Sequence, residues 1–186
     1  MLAIVPVIAI AANYDEAVQG DLSGTPASPT AWSIGPGANV LKGSAGTSAD
    51  YDLVTFTIPV GHQLETLTLD QHVIQGYQSF LGLQAGSAWT AGLDWGVDGT
   101  ALLGYDLFGT GDVGTDRLSW ISDNGNTIGP QFTPPLPSGT YTMLLQDVQT
   151  EFSYQFTLNV AAVPEPATMG LAVFGLLGIC RLARRR

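Results

Sequence analysis

The chain is poor in cysteine, in positive charge and in histidine, and each shortage excludes a class of chemistry. Cys180 is the single cysteine among 186 residues, so the body cannot hold an internal disulfide and must rest on packing. Of the six basic residues only Lys42 and Arg117 lie before the tail, against 15 aspartates and glutamates up to residue 163. A body with that balance offers no basic patch to phosphates, which argues against nucleic acid as a partner. His62 and His72 stand ten positions apart without a third nearby ligand, so no zinc site is assigned. No Gly-x-Ser-x-Gly elbow occurs, and with the lone cysteine near the C-terminus neither a serine nor a cysteine nucleophile has support. The expectation is a protein without catalysis of its own.

What is present begins with the tail. Val163-Pro164-Glu165-Pro166 precedes an uncharged run, and Arg181, Arg184, Arg185 and Arg186 close the chain. From Ala167 to Cys180 there are 14 residues without a charge. At about 1.5 Å per residue they reach about 21 Å, short of a hydrocarbon core of about 30 Å. If the Arg181 guanidinium snorkels to the head groups, residues 167–183 supply 17 positions, the lower end of what can cross as a helix. Four of the six basic residues lie in the last six positions, which would hold the C-terminus in the cytoplasm and the body outside. Two prolines at i and i+2 remove two amide donors and keep the peptide ahead of the span extended, as a processing enzyme requires.

These three parts in this order resemble the PEP-CTERM protein-sorting signal of Gram-negative bacteria. The resemblance implies that Val163, Pro164, Glu165 and Pro166 are the recognition segment, that Met169 to Cys180 is the anchor, and that the four arginines are the stop-transfer cluster. It further implies an exosortase as processing partner, an inner-membrane-anchored precursor, and a mature body on the cell surface or in the matrix, possible contact with exopolysaccharide included.

The other end agrees with export. Leu2 to Ala12 is apolar and ends in Ala9-Ile10-Ala11, the small-x-small form of a signal-peptidase site, while the basic start of such a signal is missing. Residues 1–12 therefore read as a shortened signal peptide, the alternative being a hydrophobic first strand.

Residues 13–162 read as one all-β domain, a β-sandwich or jelly roll. Residues 13–46 form an irregular lead-in, with Trp32, Ile34, Val40 and Leu41 as its only strand candidates. Val54, Phe56 and Ile58 alternate with polar partners, then Leu67, Leu69 and Val73 do so after a tight turn at Pro59 and Gly61. Phe80 to Leu83 is a third strand. Phe152, Tyr154, Phe156, Leu158 and Val160 alternate without error, and Tyr141, Met143 and Leu145 are the expected hairpin partner. No helical period extends beyond two turns, and Gly and Pro punctuate short strands throughout. The stretches Ala49 to Gly61 and Leu136 to Thr142 resemble strand signatures of bacterial pre-peptidase C-terminal domains, small jelly-roll modules of secreted proteins.

Between Gly86 and Gly129 aromatic and acidic residues crowd together, and long insertions often carry function. Trp89, Asp94, Trp95, Asp98, Asp112 and Asp116 are the ligand-binding candidates, with rings to stack on sugars and carboxylates to accept their hydroxyl hydrogens. Core strands built on Leu102, Leu103, Tyr105, Leu107 and Phe108, and on Leu118, Trp120 and Ile121, are the competing reading. No metal ligand set is assigned; calcium in the Asp-rich loops is the one cofactor considered, though none follows the EF-hand pattern. The alternative function is accordingly a glycan- or calcium-binding module on the cell surface.

Overall fold

Alternation and turn chemistry turn most of the body into strands, and strands that successively change sheet build its two layers. The computed structural model describes residues 11–46, 50–76, 78–128, 132–147 and 149–164. Of the signal-peptide reading of residues 1–12 only Ala11 and Ala12 are described; residues 1–10, and Glu165 to Arg186 with the span and its arginines, lie outside the described residues. Among the described residues no helix is long and apolar enough to cross a membrane.

The strands are β1 (Asn13–Asp15), β2 (Thr30–Trp32), β3 (Gly37–Ala45), β4 (Asp52–Ile58), β5 (His62–Ile74), β6 (Ser79–Ala85), β7 (Gly104–Phe108), β8 (Gly139–Gln146) and β9 (Phe152–Ala162). Among the described residues two α-helices join them, α1 (Glu16–Gln19) and α2 (Leu118–Ile128). The first sheet has the order β1-β3-β9-β5 and the second β2-β4-β8-β6-β7. Consecutive strands β3, β4, β5 and β6 alternate between the sheets, and β8 and β9 do the same. The two expected hairpins therefore do not form. β4 and β5 are joined by the turn at Gly61 but belong to different sheets, and β9 pairs with β3 and β5 rather than with β8. Alternation reports which face is buried; it does not name the partner.

One core fills the space between the layers. Leu41, Leu67, Leu69, Phe156 and Leu158 from the first sheet meet Val54, Phe56, Leu81, Met143 and Phe108 from the second. The expected irregular lead-in contains β3, nine residues paired with Phe152 to Val160 of β9. Strand β5 carries two bulges, at Glu65 and Asp70, and they correct its expected inner face. Leu67 and Leu69 are buried as expected, but the second bulge shifts the pleat, turning His72 inward and Val73 outward.

The second sheet is covered on its outer face as well. Leu53 and Leu144 point away from the main core and are buried under Trp89, Ala91 and Leu102 of the 86–103 stretch. This explains why Met143-Leu144-Leu145 is apolar without a break. A further correction concerns Leu118 to Ile121, expected as a strand and found as the first turn of α2. Leu118 and Ile121 are buried and Trp120 is exposed, the division a helix produces.

Candidate functional site

The 86–103 stretch that roofs the second sheet also forms one wall of a groove. Asp94 adopts a left-handed backbone conformation (φ 54°) at the start of a 3-10 turn, Asp94–Gly96. The Gln146 side chain on β8 fixes that turn from below: Oε1 accepts the Asp94 N–H at 3.0 Å, and Nε2 donates to the Asp94 carbonyl at 3.3 Å. The Tyr51 hydroxyl donates to Asp94 Oδ2 at 2.6 Å, and this bond is the main cause that raises the Tyr51 hydroxyl above its ordinary value. Held at three points, the turn presents Trp95 with 82% of its surface exposed.

Beside Trp95 lies a groove of about 450 Å³, with Phe80 and Leu107 as apolar lining and Asp94, Gln146 and Asp147 as polar lining. Its size falls within the range of small-ligand sites. The Phe80 ring is stacked on Tyr105 at 5.8 Å between centroids, so the apolar lining is held in place. An exposed indole beside fixed amide and carboxylate groups can stack on an apolar ring face and bond its hydroxyls.

The six candidates from the sequence separate. Asp94 and Trp95 share the groove. Trp89 is buried over Gly82, whose hydrogen leaves room for the indole; its Nε1 donates to the Gly92 carbonyl at 2.5 Å. Asp98 caps the following 3-10 turn, accepting from the Thr100 N–H and hydroxyl, and those bonds lower its carboxyl. Asp112 and Asp116 lie elsewhere. Asp112 accepts from the Gly109 N–H at 2.7 Å and from Arg117 Nη1 at 3.0 Å. Asp116 Oδ1 accepts from the Leu67 N–H at 2.8 Å and the Leu118 N–H at 3.1 Å, joining β5 to the start of α2. Phe80, Leu107, Gln146 and Asp147 were missed as groove residues. Leu107 had a signal in principle, since strand alternation with buried Phe108 puts it on the outer face.

The sorting segment is the second functional feature. β9 ends at Ala162, and the Val163 N–H donates to the Gly61 carbonyl at 2.9 Å. Val163 is 47% exposed, and Pro164, which has no N–H to continue the ladder, is exposed after it. Thus the central strand of the first sheet hands the chain directly to solvent where the tail begins.

The molecule so far is a mostly β body whose last strand leads into a C-terminal segment that opens with exposed Val163 and Pro164. That segment is a PEP-CTERM protein-sorting motif, the family model for which matches residues 162–186. The motif implies an exported, membrane-anchored precursor handled by an exosortase. No curated protein and no solved structure matches the chain.

Proposed function

We propose that the protein is a non-enzymatic component of the cell envelope or extracellular matrix, held in the inner membrane with its C-terminus in the cytoplasm until an exosortase releases the body. The single observation that carries this reading is the placement of the sorting motif: residues 162–186 begin where β9 ends, and Val163 and Pro164 are already exposed. A peptidase can reach such a segment without unfolding a strand. Removal of the tail leaves an acidic body without a disulfide, whose self-repulsion favours solubility outside the cell. The strand order supports a jelly roll: β3-β9-β5 faces β4-β8-β6-β7, and the Asp116 segment bridges the free side of β5 where a further strand would lie.

Mass spectrometry of the protein recovered from its host tests the sorting. The expected mature form lacks everything beyond the Pro-Glu-Pro region, and a Pro164→Ala/Glu165→Ala variant accumulates at precursor mass in the membrane. An unchanged mature mass and location in that variant rejects the reading.

A second reading is favoured by Trp95. An indole this exposed, on a turn fixed by Tyr51 and Gln146 beside a groove with carboxylate and amide groups, has the makings of a carbohydrate platform. In that reading the body contacts exopolysaccharide through the groove.

A further inference from the structure

Three acidic side chains, none of which lines the Trp95 groove, converge. Glu16 is the first residue of α1, Asp21 follows the turn at Gly20 (φ 94°), and Asp52 opens β4. One carboxylate oxygen of each lies within 4.8 Å of the others. Like charges at that spacing repel, so something must hold them there.

The scaffold does so in detail. Glu16 is fixed at both oxygens: Oε1 accepts the Leu22 N–H at 3.0 Å and Oε2 accepts the Ser44 N–H at 2.7 Å. Gly43 on β3 makes the approach sterically possible, because a Cβ there would run into the Glu16 carboxylate and lie 2.7 Å from the Tyr154 Oη. Asp52 is fully buried, and its Oδ2 accepts from the Tyr154 hydroxyl at 2.6 Å. Its other oxygen, Oδ1, is buried without any hydrogen-bond donor. That orphan is the decisive observation. Asp15, Asp98 and Asp147 each accept backbone N–H groups of their own turns and are explained by local structure. No turn explains Asp52, because a buried carboxylate oxygen without a donor is costly unless a positive charge meets it.

We infer that Glu16, Asp21 and Asp52 form a calcium site. Hard carboxylate oxygens are the donors calcium prefers, at about 2.3–2.6 Å, and two oxygens on opposite sides of the ion then stand about 4.8 Å apart. The trio fits that sphere, and exposed Asp21 leaves a side on which water completes it.

The ion would fasten the N-terminal segment, whose β1 pairs with β3 over three residues only, to the start of β4 in the other sheet. A body without disulfides gains a cross-link that way. Asp50-Tyr51-Asp52 read as the approach to a strand, and Glu16 and Asp21 as part of an irregular lead-in, so sequence spacing gave no reason to join them.

The test is calcium titration of the full chain, stripped with chelator in detergent, by calorimetry and thermal melting. One calcium per chain is expected, with a rise in Tm of at least about 5 °C at saturation. Asp21→Asn, on the exposed member of the trio, should abolish both the binding heat and the rise while keeping the chelator-state Tm. Asp52→Asn should abolish the rise and keep or increase the chelator-state Tm, since it removes an uncompensated carboxylate. Asp98→Asn should behave as the unaltered protein. The inference is overturned if millimolar calcium chloride gives neither heat nor a Tm change, or if Asp21→Asn retains the full rise; the latter decides the matter even if Asp52→Asn fails to fold.

Discussion

Arg117 lays its guanidinium edge along the carboxylate of Asp106, with Nε 2.6 Å from Oδ2 and Nη2 2.9 Å from Oδ1. Both residues are buried, Arg117 just before α2 and Asp106 at an inward position of β7. Burial works against the charge on Arg117, but Asp106 and then Asp112 outweigh it and hold the guanidinium charged. The ring of exposed Trp120 covers the cation, its centroid 5.3 Å from Cζ.

Removing one partner leaves the other as a buried charge, which costs about 3–5 kcal/mol. Arg117→Met should therefore lower the urea midpoint strongly. Arg117→Met combined with Asp106→Leu should recover most of the loss, because a buried ion pair replaced by apolar groups is often neutral or better. A double-mutant cycle by equilibrium unfolding checks the sign: if the double variant is as unstable as the sum of the singles, the pair is not coupled.

Helix α2 touches β7 backbone to backbone. A Cβ on Gly125 would run into the Leu103 carbonyl, and one on Gly104 into the Ile121 carbonyl. Neither obstacle can swing aside as a side chain could. Gly125→Ala, ordinarily favourable inside a helix, should instead destabilise by about 1–3 kcal/mol through overpacking. Thermal melting beside a control Ser119→Ala on the exposed face measures it; a Tm for Gly125→Ala at or above that of the control contradicts the close approach.

That glycine also shows why part of the fold could not be read. Asp123-Asn124-Gly125-Asn126 has the composition of a turn, and its helical state is set by contact with β7, which local propensity does not encode. β9 was legible because every second residue faces one core, from Phe152 to Val160. Its neighbours were not, since the same alternation suits a hairpin with β8 or pairing with β3 across more than 100 positions. At the site, aromatic and acidic content drew attention to Asp94 and Trp95, but composition cannot distinguish exposed Trp95 from Trp89, which is buried as a roof. The tail was legible for another reason: its parts act in linear order, without needing a fold.

His72 gives the body a pH dependence. Burial holds its imidazole below the usual histidine range, against the smaller opposing pull of Asp112 and Asp147. Nε2 is paired with the Ser79 hydroxyl at 2.9 Å, and the ring lies between Phe108 and Phe152. The unfolded chain takes up a proton near pH 6.5 while the folded one resists. Stability due to His72 is thus present above about pH 6.5 and lost as pH falls through the lower folded value, at no more than about 1.4 kcal/mol per pH unit. His72→Phe keeps the aromatic packing and removes the proton. Unfolding midpoints from pH 7.5 to 5 should fall more steeply for the unaltered protein than for His72→Phe; parallel curves would mean the histidine is not held neutral.

Trp95 separates binding from stability. Its indole is 82% exposed, so Trp95→Ala should change unfolding free energy by no more than about 0.5 kcal/mol. Loss of the only large exposed ring among the groove's lining residues should nonetheless reduce binding of a host exopolysaccharide at least tenfold, equivalent to about 1.4 kcal/mol. Trp89→Ala is the contrasting variant. It opens the roof over Leu53 and Leu144 and should cost about 3–5 kcal/mol of stability, with any effect on binding following from unfolding. Affinity electrophoresis in polysaccharide gels, run beside melting curves, compares the two. Equal retardation of Trp95→Ala and the unaltered protein would remove the carbohydrate platform while leaving the sorting motif untouched, because that motif is carried by residues 162–186 and not by Trp95.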